Sequence, residues 1–284
     1  MIRLIGAHIP TGGVLHKALY RGKEIGCTAV QIFTSNPQSW AERKLTKEDI
    51  KLFEEAKEKT GIRALFSHCA YLINPASPDR ELRKKSILAL EKEMNRCAAL
   101  GIPYTITHLG AHSGVGEEVG LKNVAESIER ILDETPDSVG LIMENTAGSG
   151  STIGYRFEHL AKILEANKGH KRLKVCIDTC HLFCAGYEIR HEESYEKVLK
   201  EFDKIIGLEL LKVIHANDSK YPFASRKDRH EHIGKGYIGD DVFRRMINDP
   251  RLFHAPMIIE TPDTEKMDKM NLNRLRSFLK KGIK

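Results

Sequence analysis

Residues 174–181 read KVCIDTCH, a short apolar run that ends on Asp178, with His181 three positions further on. Five other runs end in the same way: Arg63 to His68 (RALFSH), Tyr104 to His108 (YTITH), Gly140 to Glu144 (GLIME), Lys212 to His215 (KVIH) and Pro256 to Glu260 (PMIIE). Each closes on a histidine or a carboxylate. Successive ends lie roughly 34 to 45 residues apart, the length of one strand, one helix and two loops in a (β/α)8 barrel. Two earlier runs, Ile2 to His8 (IRLIGAH) and Cys27 to Thr34 (CTAVQIFT), bring the count to eight.

Apolar residues at helical spacing fill the intervals, as in Val124, Ile128, Ile131 and Leu132, or Tyr195, Val198, Leu199, Phe202 and Ile205. Ser77-Pro78 predicts an N-cap followed by proline at the first helical position, and Gly101 closes that helix. Thr46 with Asp49 predicts a capping box, and Gly61 ends the following helix. Strands buried on both faces and alternating with amphipathic helices mean a parallel sheet, which with eight units closes into an α/β barrel. The 284 residues suit one such barrel, so residues 1–284 are expected to form a single domain. The start, MIRLIGAHIP, turns polar too soon for a signal peptide, and no run of about 18 apolar residues occurs; a cytoplasmic protein is expected.

The carboxyl ends of barrel strands converge on one mouth. His68, His108, Glu144, Asp178, His181, His215, Asp228, His230 and Glu260 lie at those ends or in the loops just after them. Charges gathered in one pocket are costly without a cation, so a metal centre is the simplest account of the set. Imidazole and carboxylate donors without cysteine suit zinc or manganese in a hydrolytic site. Nine donors exceed what one ion or two ions with open water positions can use, which points to a third. Cys176, Cys180 and Cys184 flank Asp178 and His181, so a sulfur ligand stays open, although small buried thiols are the plainer reading.

Lys and Arg number 45 against 39 Asp and Glu, a net charge of +6 that alone favours a nucleic-acid partner only weakly. Three divalent ions would raise the balance to about +12, concentrated at one mouth, where an anionic phosphodiester would be drawn. Gly234 to Gly239 (GKGYIG) fits a dinucleotide-binding pattern, but it follows a ligand loop rather than a strand and is read as a tight loop beside the metals. His8 at the first strand end could face the mouth or simply pack there. His112 and His232 receive no role.

The segments SHCAYLIN (67–74), ITHLGAH (106–112), MENTAG (143–148), CIDTCH (176–181), IHANDS (214–219), KDRHEHIGKGYIG (227–239) and IIETP (258–262) resemble those of the endonuclease IV family of abasic-site DNA repair enzymes. The resemblance spans nearly the whole chain and implies a xylose-isomerase-like barrel with three zinc ions, manganese being an alternative at one or more positions. It implies that His68, His108 and Glu144 hold one ion, that Glu144, Asp178, His215 and Glu260 hold a second, and that His181, Asp228 and His230 hold the third. Glu144 then bridges the first two, and a hydroxide between them is the nucleophile. The implied reaction is hydrolysis on the 5′ side of an abasic site in double-stranded DNA, by a monomer, with removal of 3′-blocking groups as a companion activity. Tyr71 and Leu72 match the positions of a wedge inserted at the lesion. Gln38 stands where the family usually carries an arginine. Arg226, with Lys220, Lys227 and Arg229, is a candidate phosphate contact. Two other classes stay open: a sugar isomerase or epimerase on the same barrel, and a lesion-binding protein whose metals are structural.

Overall fold

Eight of the apolar runs pair side by side and close on themselves. The computed structural model describes residues 3–282, so Ile2 of the first run lies outside the described residues. The strands are β1 (Ile5–His8), β2 (Ala29–Ile32), β3 (Ala64–His68), β4 (Tyr104–Thr107), β5 (Gly140–Glu144), β6 (Leu173–Asp178), β7 (Leu211–His215) and, after a two-stranded excursion, β10 (Met257–Ile259). Every neighbouring pair is parallel, and β10 returns to β1 to close a barrel. The excursion pairs β8 (Asp218–Ser219) with β9 (His230–Glu231) in an antiparallel ladder. Two residues per strand are too few to leave a periodic signal, so this ladder is new, and it folds His230 back over the mouth.

The helices are α1 (Leu15–Glu24), α2 (Lys47–Thr60), α3 (Arg80–Leu100), α4 (Glu117–Glu134), α5 (Phe157–Ala166), α6 (Thr179–Ala185), α7 (Glu192–Ile205), α8 (Asp240–Asn248) and α9 (Thr264–Ser277). The Thr46–Asp49 capping box opens α2, and Gly61 and Gly101 end α2 and α3 in the left-handed conformation. The start of α3 differs from expectation. Asp79, not Ser77, is its N-cap, accepting from the backbone N–H groups of Glu81 and Leu82, while Ser77 Oγ accepts from Asp79. Pro78 thus sits outside the helix, where its missing N–H leaves no helical bond unmade.

Two apolar layers hold the barrel. Ala29, Phe66, Ile106, Ile142, Cys176, Val213 and Ile258 fill its interior, and a larger shell between strands and helices includes Leu65, Leu141, Val175, Phe157 and Phe243. Burying each large aliphatic or aromatic side chain stabilises the fold by about 1.5–3 kcal/mol. In β1 the interior position is Gly6, because a Cβ there would lie 1.6 Å from the carbonyl oxygen of Ala29 on the adjacent strand.

Candidate metal centre

Side chains along a strand return to the same face every second residue. Two positions beyond the interior layer, the strands therefore point inward again with Gln31 (after Ala29), His68 (after Phe66), Glu144 (after Ile142), Asp178 (after Cys176) and His215 (after Val213). His108 and Glu260 follow β4 and β10 by one residue in the same phase. This is why apolar runs end on polar groups: the run is the barrel's plug, and its last residue is the floor of the mouth.

Glu144 lies at the centre and is fully buried. One carboxylate oxygen, Oε2, is 3.1 Å from His68 Nε2 and 3.2 Å from His108 Nε2. The other, Oε1, is 3.1 Å from His215 Nδ1 and 3.2 Å from His181 Nδ1. Each oxygen thus faces a different pair of imidazoles. Donor atoms of three sets come within 4.8 Å of one another: His68, His108 and Glu144; Glu144, Asp178, His215 and Glu260; and Asp178, His181 and His230. In the third set Asp178 joins His181 and His230. Asp228, on the loop before β9, also reaches both imidazoles, 3.1 Å from His181 Nε2 and 3.7 Å from His230 Nε2, with its side chain 43% exposed. None of the three nearby thiols joins a set: Cys176 lies in the interior layer, Cys180 donates to the carbonyl of Arg229, and Cys184 contacts Ser219 and Ser225.

The tautomers test whether cations fit. His68 Nδ1 donates to the carbonyl of Cys69 at 2.8 Å, His181 Nδ1 to that of Asn145 at 2.9 Å, and His230 Nδ1 to that of Glu260 at 2.9 Å. In the tautomer that binds metal, with Nδ1 protonated and Nε2 bare, each ring aims the lone pair of its Nε2 at a carboxylate oxygen. His181 Nε2 and His230 Nε2 are buried without a hydrogen-bond partner, the short contact of the former to Asp228 lacking hydrogen-bond geometry. Acceptor facing acceptor in a buried site calls for a cation between them, and the donor set fits divalent metal ions.

Electrostatics agree. Burial resists ionisation of Glu144 and Glu260, yet His215, together with His108 for Glu144 and His8 for Glu260, outweighs it and holds both carboxyls well below their ordinary range. Conversely, burial disfavours charged imidazole, but Asp178 and Asp228 raise His181 well above its usual value, Cys176, Glu260 and Glu144 do so for His215, and Glu144 raises His108. Without metal, protons stand where cations fit.

Several residues that hold these donors give no separate signal in the sequence. Asn145 clamps the backbone of Asp178, accepting from its N–H at 2.7 Å. Asn217 donates to Asp178 Oδ2 at 2.6 Å and accepts from the backbone N–H of Glu260 at 2.7 Å, tying two members of one set together. Both follow a ligand by one or two residues, so their place in ENTAG and HAND is the only pointer. Asp218 explains the GKGYIG segment: its carboxylate accepts from the backbone N–H groups of Gly234, Gly236, Ile238 and Gly239. A Cβ on Gly236 would lie 2.5 Å from Asp218 Oδ1. The glycines thus wrap an internal carboxylate rather than a dinucleotide. Asp218→Ala is expected to cost about 3 kcal/mol or more by orphaning those donors, read as a lower midpoint in urea unfolding; an unchanged midpoint would show that water replaces the carboxylate.

Above the floor opens a cavity of about 610 Å³ lined by His8, Phe33, His68, Tyr71, Arg229 and the flanking donors. Tyr71 is 64% exposed, standing edge-on over Phe33 at 5.4 Å, and its N–H donates to the carbonyl of Pro37. The loops bearing Leu72 and Gln38 are thereby joined at one lip, both side chains exposed. Arg226 is exposed at φ +55° and stacks 4.2 Å over Tyr155. His112 and His232 are absorbed in local bonds, to Gly116 N–H and to Asn271.

The family of xylose isomerase-like TIM barrels matches residues 19–281. The chain is 48% identical over 278 residues to a probable endonuclease 4 of Chloroflexus aggregans, covering 97% of both chains. Among solved structures, endonuclease IV from Thermus thermophilus aligns with a TM-score of 0.86 at 33% identity, over 97% of this chain and 98% of that one. A D-tagatose 3-epimerase-like protein aligns with a TM-score of 0.73 at 18% identity, over 96% and 97% of the two chains, a likeness of fold alone.

Proposed function

The chain belongs to the endonuclease IV family, and from that premise we propose that it hydrolyses the phosphodiester 5′ to an abasic site in duplex DNA, leaving a 3′ hydroxyl and a 5′ deoxyribose phosphate. The observation that supports this most is the carboxylate of Glu144, whose two oxygens face separate imidazole pairs at 3.1–3.2 Å on the floor of an open cavity.

His68, His108 and Glu144 would hold one zinc ion, and Glu144, Asp178, His215 and Glu260 a second. His181, Asp228 and His230 would hold a third with Asp178 in reach, manganese serving at one or more positions. Bound ions supply a water acidified toward neutrality and positive charge against the phosphoryl oxygens. The protein's own part is positional. Glu144 fixes the spacing of the first two positions, since its oxygens point to opposite sides. The carbonyl-tethered imidazoles keep their lone pairs aimed inward. Tyr71 and Leu72, exposed at the lip, are suited to fill the gap left by a missing base, and Arg226 to contact phosphate. Removal of 3′-blocking groups uses the same bond type in the same place.

We take residues 1–284 as one catalytic domain acting as a monomer in the cytoplasm. Among the described residues no helix is long and apolar enough to cross a membrane. The isomerase reading is disfavoured by the third set of donors, which has no task in moving a proton or hydride on a sugar. The test is incubation of the purified protein with a duplex carrying one abasic site, beside a metal-stripped sample. Metal-dependent incision 5′ to the site is expected; no incision by zinc-loaded protein would overturn the assignment.

Gln38 bears on grip rather than chemistry. It is exposed at the lip, its backbone N–H bonded to Asn36 Oδ1 at 2.9 Å. Gln38→Arg is expected to tighten binding of an abasic duplex about 3- to 10-fold at low salt, the gain fading as salt rises. Equal or weaker affinity at matched salt would remove this loop from DNA contact.

A further inference from the structure

Gln31 is a primary amide in the middle of β2, fully buried among groups that are otherwise apolar or metal-binding in character. Its bonds are all made inside the site. Oε1 is 2.8 Å from His215 Nε2, while Nε2 is 2.7 Å from Glu260 Oε1 and 2.8 Å from His8 Nδ1. The carboxylate decides which way the amide points. A carboxylate oxygen accepts, so the amide N–H faces Glu260 at 2.7 Å and the carbonyl faces His215. His215 Nε2 therefore carries a proton, and the free lone pair of that ring is on Nδ1. That nitrogen is the one 3.1 Å from both Glu144 Oε1 and Glu260 Oε2. One amide thus selects the tautomer of His215 and, by engaging Oε1 of Glu260, leaves Oε2 to the centre of the set.

We propose that Gln31 is a positioning residue for the set formed by Glu144, Asp178, His215 and Glu260, and that it sets how tightly this set holds its ion. The proposal rests on the reading above that this set binds a metal. Hydrogen bonds that orient metal-binding histidines and carboxylates typically change affinity 10- to 100-fold when lost. His68 and His108 lie outside the reach of Gln31's bonds, so the effect is confined to one position.

Gln31→Met keeps the length of the side chain and removes all three bonds. Gln31→Asn withdraws the amide by one methylene and guards against a Met variant that does not fold. Zinc occupancy of each full-length protein is titrated against a chromophoric chelator, and the cobalt(II)-loaded forms are compared by visible absorption. The expected result is that one ion of the wild-type complement is lost about 10- to 100-fold more readily, the others keep wild-type affinity, and the cobalt spectrum changes in the bands of that ion alone. Unchanged affinity for every ion in a folded variant would overturn the role of Gln31 while leaving the metal reading intact. Equal weakening of all ions would also overturn it, since general damage rather than local positioning would then be at work. A wild-type protein that binds no ion with these residues would instead overturn the metal reading itself, and this proposal with it.

Discussion

Glu144→Gln is expected to cut incision of an abasic duplex by at least ~10³-fold, about 4 kcal/mol of transition-state stabilisation. The amide is nearly the same size as the carboxylate, so packing around this fully buried position is kept. What changes is charge and the kind of atom offered. A carboxylate presents lone pairs from both oxygens, one toward His68 and His108 and the other toward His181 and His215. Glutamine must turn an N–H₂ toward one of those pairs, placing a donor where a cation belongs. The second set keeps Asp178 and Glu260, so it is expected to retain its ion, while the first is left with two imidazoles and one weak oxygen. Metal content and single-turnover incision measured on the same preparation separate the two consequences. Near wild-type turnover with metals fully loaded would remove Glu144 from the centre of the reaction.

The barrel was legible because its two periodicities survive in the chain: apolar runs of strand length and helical spacing between them. The donors were legible for a related reason. Inward-facing polar residues at strand ends break an apolar run at a fixed phase, and six such breaks leave a pattern that chance composition does not. What the sequence could not yield lies in contacts between distant segments. Gln31 reads as one polar residue inside CTAVQIFT, and only the fold shows that it lies against Glu260 and His215, which are 229 and 184 residues away. The approach of Asp178 to the third set has the same origin. Asp228 and His230 are two residues apart in sequence, and the β8–β9 ladder brings His230 within 3.5 Å of Asp178 as well as 3.7 Å of Asp228. Asp79 displaced Ser77 as the cap of α3 because two equally good capping residues flank Pro78, and local propensity does not choose between them.

Stripping the metal ions is expected to abolish incision and to reverse the sign of the pH dependence of stability. In the metal-free protein His108 and His181 have pKa values raised above that of free imidazole by their carboxylate neighbours, and His215 by Cys176 together with Glu260 and Glu144. A raised histidine stabilises the fold fully below its unfolded value, about 6.5, and that stabilisation is lost as pH rises toward the folded value. Glu144 and Glu260 are depressed, so their contribution is present above about 4.3 and is lost only in acid, as pH falls through their folded values. Metal-free protein therefore loses stability above pH ~6.5, by up to about 1.4 kcal/mol per pH unit for each raised imidazole. Metal binding requires the same imidazoles without their protons, so affinity climbs over the range in which the metal-free fold weakens. Thermal midpoints measured from pH 6 to 8.5, in chelator and in a zinc buffer, are expected to diverge with rising pH. Chelated protein should also bind protons as its metal leaves, detectable with an indicator in weakly buffered solution at pH 7. Parallel midpoints and no proton uptake would mean that these imidazoles are neutral before metal arrives, and the cations would then owe their place to the carboxylates alone.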